Sequence, residues 1–158
     1  MRRHVIFIVI LSAIFNVSFA ATNMSCTPVV VKVENKNIIL PGPQEQSKTS
    51  TAEVYFFNNI SKKSFWLDHP VDHPSASAGW SSYLRPGNWS AMVVNRKNFT
   101  ISCAEIQPGK VDYQDCAKTI AICMPKQMEV DTKHKGSYWL VEDKSWDEFV
   151  AAVKKHSK

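Results

Sequence analysis

Apolar residues along this chain fall in short runs rich in β-branched and aromatic side chains, broken by Pro, Gly, Asn and Asp. That pattern predicts strands joined by turns. The runs are Val29 to Val33, Ile38 to Leu40, Val54 to Phe57, Ser64 to Leu67, Trp89 to Val94, Phe99 to Ala104, Thr119 to Cys123 and Tyr138 to Val141. In Phe99-Thr100-Ile101-Ser102-Cys103-Ala104, Phe99, Ile101 and Cys103 share one face while Thr100 and Ser102 share the other. This is the period of a half-buried strand, with Cys103 directed inward. Val54-Tyr55-Phe56-Phe57 is apolar on both faces, which fits either a central strand covered on both sides or an external aromatic stripe. Trp89 opens an apolar run and is expected in the core.

The end of the chain changes period. Ser145 and Glu148 have the spacing of a capping box, and Trp146, Phe149, Val150 and Val153 fall at i, i+3, i+4 and i+7. Asp147 and Glu148 stand at the start of this stretch and Lys154, Lys155 and His156 at its end, complementing the helix dipole. A helix over about 145–156 follows, docked on the domain body; a membrane-surface or partner-binding helix would carry the same stripe. Together these elements predict an all-β fold, a disulfide-stapled β-sandwich with one short C-terminal α-helix. A partly closed barrel is the alternative. The segment from Pro41 to Ser50 is polar and is expected to form a loop.

The first twenty residues follow neither pattern. Arg2, Arg3 and His4 precede an apolar run from Val5 to Leu11 that continues through Ile14 and Phe15 to Ser18-Phe19-Ala20. This has the three parts of a secretory signal peptide, cleaved after Ala20. It is too short for a spanning helix, which needs about 20 apolar residues. No cysteine follows the cleavage site, so lipid attachment there is not expected. Residues 21–158 then form a single domain, periplasmic or secreted, with no transmembrane anchor after cleavage. Without the leader the chain has seventeen basic and fourteen acidic residues, a weakly basic balance. Lysines are scattered rather than gathered on a stripe, so nucleic acid is not an expected partner.

Export changes the reading of Cys26, Cys103, Cys116 and Cys123. In an oxidising compartment an even number of cysteines predicts two disulfides. Zinc is the alternative, but the closest pair, Cys116 and Cys123, lacks the usual short spacing of ligands. A turn at Gln107-Pro108-Gly109 sets Cys103 opposite Cys116 in an antiparallel pair. Seven extended steps from Cys116 to Cys123 span on the order of 24 Å and seven helical steps about 10 Å, against a limit of about 7 Å for a disulfide. The expected bridges are therefore Cys103 with Cys116 and, by elimination, Cys26 with Cys123.

Two segments carry candidate chemistry. Asp68-His69-Pro70-Val71-Asp72-His73-Pro74 repeats Asp-His-Pro and places two imidazoles beside two carboxylates. Pro70 and Pro74 push His69 and His73 into extended conformations, with α-carbons about 13 Å apart, too wide to hold one ion without a turn between them. An exposed proline-rich loop and a metal or catalytic loop are the competing readings. The second segment runs from Ser75-Ala76-Ser77-Ala78-Gly79-Trp80 through Tyr83 and Arg85 to Trp89, with a type II turn at Pro86-Gly87. Exposed, Trp80 and Tyr83 would stack on a sugar or anchor a protein; buried, they are core. The chain has no Gly-x-Ser-x-Gly elbow, His-Glu-x-x-His or phosphate-binding glycine loop. No catalytic residue, metal ligand or cofactor is therefore assigned.

Phe56-Phe57-Asn58-Asn59 through His69-Pro70, Ser75-Ala76-Ser77-Ala78-Gly79-Trp80, Pro86-Gly87-Asn88-Trp89-Ser90-Ala91 and Ile101-Ser102-Cys103, followed by Cys116 and Cys123, resemble the enhanced-entry B family of Legionella-type intracellular bacteria. The resemblance covers Val54 to Cys123. It implies a periplasmic or secreted protein linked to host-cell invasion and virulence, without an established enzymatic activity. It transfers no catalytic residue, and it says nothing of Cys26, the Pro41 to Ser50 loop or the terminal helix.

The leading expectation is a non-enzymatic envelope or secreted module that binds a protein or glycan of the envelope or host surface. Its binding residues would be Trp80, Tyr83 and Arg85, with His69 and His73. A metal-dependent or hydrolytic enzyme using Asp68-His69 and Asp72-His73 is the alternative, and a purely structural envelope component is the third reading.

Overall fold

In the computed structural model, the described residues are 25–43, 52–69, 81–126, 128, 130 and 136–156. The expected leader, most of the Pro41 to Ser50 loop, and 70–80 with Asp72, His73 and Trp80 lie outside them.

The strands form two antiparallel sheets. The first runs β1 (Cys26–Pro28), β10 (Ile120–Pro125), β4 (Glu53–Asn59), β7 (Trp89–Val94), β11 (Tyr138–Lys144). The second runs β2 (Lys32–Glu34), β3 (Asn37–Leu40), β8 (Phe99–Gln107), β5 (Phe65–Asp68), β6 (Ser82–Leu84). A further strand, β9 (Lys110–Gln114), pairs with the outer half of β8. Because β5 holds one edge of β8 at Ser102 and Ala104, β9 lies on the other edge, in line with β3. The protein is a sandwich-like, mostly β fold with one short helix at the C-terminal end of the described chain, α2 (Trp146–His156).

Side-chain alternation makes two cores. Tyr55, Phe57, Met92 and Val94 point from the first sheet toward the second, meeting Ile38, Leu40, Phe65, Leu67, Phe99 and Ile101. The alternate residues Val54, Phe56, Trp89, Ala91 and Val93 point outward and are covered by Phe149, Val150 and Val153 of α2. Apolarity on both faces of β4 thus belongs to a central strand buried on both sides, and Trp89 is core, 7% exposed. The capping residues also meet: the Glu148 carboxylate accepts hydrogen bonds from the Ser145 N–H at 3.3 Å and the Ser145 hydroxyl at 2.8 Å. That is the glutamate half of a capping box, and the Ser145 carbonyl accepts the Phe149 N–H.

Each disulfide closes in a different core. Cys26 bonds Cys123 on the helix side of the first sheet. Cys103 bonds Cys116 between the sheets. Cys103 lies opposite Gln114 rather than Cys116 in the β8–β9 ladder. The hairpin turns on Pro108-Gly109 alone, with Gly109 at φ +73°, and Cys116 opens the short helix α1 (Cys116–Thr119) two residues beyond its strand.

The expected strand Val29 to Val33 is not continuous. β1 ends before it in the first sheet and β2 begins within it in the second, so residues 29–31 cross between sheets. Val29 and Val31 pack on the inner core as they cross. Burial accounts for Val29 and Val31 alone, since Val30 is 96% exposed. α1 likewise replaces the start of the expected Thr119 to Cys123 strand.

Candidate functional site

Among the described residues no helix packs on the outer face of the second sheet, unlike the outer face of the first. On it, Tyr83 of β6 is paired with Trp66 of β5, Trp66 with Ala104 of β8, and Ala104 with Tyr113 of β9. Directly opposed residues share a face, so these four make one row across four strands. The Trp66 and Tyr83 rings meet at 5.2 Å with a 56° tilt. Tyr83 is 40% exposed and Tyr113 53%, while Ala104 is buried at the floor between the rings. On one side of the row stands the exposed apolar pair Ile106 and Val111. On the other stand Asp68 and Ser102, directly opposed, with the Ser102 hydroxyl donating to the Asp68 carbonyl at 3.2 Å. Burial pushes the Asp68 carboxyl above the ordinary carboxylate range, opposed by a hydrogen bond from the His69 backbone.

Sequence reasoning places Tyr83 in a binding surface but misses Trp66, Ala104, Ile106, Val111 and Tyr113. The available signal was Pro108-Gly109 followed by the alternation Lys110-Val111-Asp112-Tyr113-Gln114, which marks a hairpin whose second strand shows Val111 and Tyr113 on one face.

His69 stands at the end of β5, turned onto the sheet. Its Nδ1 lies 2.6 Å from the Thr100 carbonyl, which can only accept, so Nδ1 carries the proton. Nε2 then accepts from the Arg96 guanidinium. The ring stacks on Phe99 at 4.3 Å, and Arg96 also lies over Phe99. Both imidazole nitrogens are engaged by the protein. No group of three or more potential metal ligands occurs among the described residues. A crevice of about 240 Å³ opens beside Lys63 and Glu105, and neither Asp68 nor His69 lines it.

Arg85 is not part of the aromatic row. Its backbone N–H and Nε donate to Asp143 at 2.9 and 2.7 Å, and Asn88 Nδ2 donates to the same carboxylate at 2.9 Å. Burial alone raises the Asp143 carboxyl, but these donors together hold it below the usual carboxylate range. Asp143 sits at φ +43° and donates its N–H to Ser90. Pro86-Gly87-Asn88-Trp89-Ser90 is therefore a joint between the sheets: Asn88 and Ser90 hold Asp143, Trp89 packs against α2, and the Asn59 carbonyl accepts the Gly87 N–H at 2.8 Å. Its residue types serve folding.

The two disulfides mark an oxidising, non-cytoplasmic environment. No helix among the described residues is long and apolar enough to cross a membrane. No protein-family model, curated protein or solved structure matches this chain.

Proposed function

We propose that this protein is an exported, non-enzymatic module of the periplasm or secreted space that binds a protein or glycan of the envelope or host surface. The observation that carries the reading is the aromatic row on the outer face of the second sheet, which no described helix covers. Tyr83, Trp66 and Tyr113 stand there in a row, whereas the first sheet buries its outer aromatics under α2. Exposed tyrosine and tryptophan give large contact area at small entropic cost. The likeness of residues 54–123 to the enhanced-entry B family extends the reading to host-cell invasion. The catalytic alternative gains nothing from His69, whose ring nitrogens are already bonded to Thr100 and Arg96.

A photoreactive phenylalanine analogue placed at position 113, and separately at Lys155 on the helix side, tests this in the native host. Adducts from position 113 and none from position 155 are expected. Adducts from neither position would overturn the reading, as would hydrolysis of ester, peptide or glycoside substrates that disappears in His69→Ala.

A further inference from the structure

β1 is joined to the first sheet by little besides a covalent bond. None of its residues Cys26, Thr27 and Pro28 is fully buried. Two bonds flank it, from the Lys126 N–H to the Ser25 carbonyl at 3.0 Å and from the Val29 N–H to the Ile122 carbonyl at 3.2 Å. In an antiparallel ladder hydrogen-bonded pairs alternate with pairs that exchange no bond, so the flanking bonds leave Thr27 opposite Met124 as the bonded pair within β1. The pairs on either side of it, Cys26 with Pro125 and Pro28 with Cys123, each contain a proline, which has no N–H to donate. The Cys26–Cys123 bond crosses this weak ladder diagonally.

The two disulfides differ in what must open before a reagent reaches them. Cys103 and Cys116 are both 0% exposed between the sheets, so attack on either sulfur requires the sheets to part. Cys123 is 8% exposed, and Cys26 is only partly buried on the outermost strand of the first sheet. Local opening of such an edge takes a fraction of the free energy of global unfolding. Exposed disulfides are also the more readily exchanged ones.

We infer that Cys26–Cys123 is a redox-operated latch on β1, opened by a protein dithiol of the Cys-x-x-Cys type, while Cys103–Cys116 stays closed. A thiolate of the dithiol attacks the Cys26 Sγ and breaks its bond to Cys123, which leaves as a thiolate and takes a proton. The second thiol of the dithiol, deprotonated, attacks its partner sulfur in the mixed disulfide, forms the reductant's own disulfide and expels the Cys26 thiolate, which takes the second proton. Two electrons and two protons thus pass to the bond, and the dithiol is oxidised.

Opening lets β1 swing about Val29, whose side chain stays packed on the inner core, and uncovers the edge of β10 at Met124 and Lys126. The sandwich keeps its other ties. β10 still pairs with β4 from Ile120 to Cys123, and α2 still covers the outer aromatics of the first sheet. The entropic benefit of a long bridge acts on the unfolded chain, so its loss lowers stability without removing either core.

Incubation of the folded protein, both bonds intact, with reduced thioredoxin tests the latch. Aliquots quenched with iodoacetamide are mapped by mass spectrometry, and amide exchange is followed on the singly reduced product. Cys26 and Cys123 are expected to be alkylated about tenfold faster than Cys103 and Cys116, or more. In that product the Met124 and Lys126 amides should exchange about tenfold faster, while those of β7 keep their protection. Cys26→Ser with Cys123→Ser should show the same exchange pattern; where that variant does not fold, the reduced parent protein decides. Equal alkylation of all four cysteines, earlier alkylation of Cys103 and Cys116, or no reduction under native conditions would overturn the inference. So would selective opening of Cys26–Cys123 with Met124 and Lys126 still protected, because the bond would then not be what holds β1.

Discussion

Gly42 shows how a single hydrogen can be required. It sits at φ +67°, and a Cβ there would come within 2.1 Å of the Arg96 carbonyl oxygen, a backbone atom with little freedom to move. Its N–H donates to the Tyr55 hydroxyl at 3.2 Å, which in turn donates to Glu53 at 2.5 Å. Gly42→Ala is expected to destabilise the fold by about 2 kcal/mol or more, combining left-handed strain with the clash. Denaturant titration checks it, and a loss below about 0.5 kcal/mol would contradict the close approach. Asp143 gives a pH prediction. Its folded-state acidity is strengthened, so its stabilisation is fully present above the ordinary aspartate range and is lost as pH falls through the depressed folded value. Asp143→Asn keeps a residue tolerant of positive φ and should cost about 1 kcal/mol at pH 7, modest because the Arg85 side chain is 60% exposed. The variant and parent stability curves should converge in strong acid. Curves that stay parallel would show that charge is not what Asp143 contributes. Burial, then the Glu53 carboxylate, pushes the Tyr55 phenol far above its ordinary range. Stability is complete below pH ~10 and declines as pH rises beyond it, and absorbance at alkaline pH should show Tyr55 ionising only with unfolding.

At the scale of elements, the terminal helix was legible because all its signals agree: cap, apolar stripe and end charges fall within one short segment. What the stripe could not say is what it covers. Phe149 meets Phe56 edge-on at 4.9 Å and lies 5.6 Å from Trp89, so α2 seals the outer aromatics of the first sheet. Phe149→Ala should cost about 3–5 kcal/mol. Guanidinium unfolding measures the loss, and a much smaller one would mean that α2 docks weakly. β6 and β9 are absent from the expected runs for opposite reasons. Ser82-Tyr83-Leu84 is too short to show a period. Lys110 to Gln114 has the period, but its apolar residues face outward, so they mimic a polar loop sprinkled with exposed hydrophobics. The row that carries the proposed site lies on these two strands and their neighbours, which is why the sequence located Tyr83 and missed Tyr113. Arg85 pairs with Asp143, fifty-eight positions away, a contact that local sequence does not show.

For the whole molecule, the all-β sandwich followed from short punctuated runs, and the disulfide pairing followed from excluding what chain geometry forbids. Sheet order remained hidden because strand neighbours are set by long-range packing: β4 lies between β10 and β7, and β8 gathers β3, β5 and β9. The two bridges differ in reach. Cys103 and Cys116 are 13 residues apart, Cys26 and Cys123 97. In the chain-entropy view, removing the first pair costs about 3 kcal/mol and the second about 4.7 kcal/mol. Paired Cys→Ala variants under chemical denaturation should rank in that order, and the reverse ranking would show that native packing dominates. The long bridge also gives the molecule a mechanical character. Under tension applied to both termini, the load path jumps across the Cys26–Cys123 bond and bypasses every element from β2 to β9. Among the described elements C-terminal to Cys123, β11 and α2 can peel away, while the row of rings on the second sheet bears no load. Reduction would release the bypassed loop and lengthen the stretched chain by roughly 330 Å.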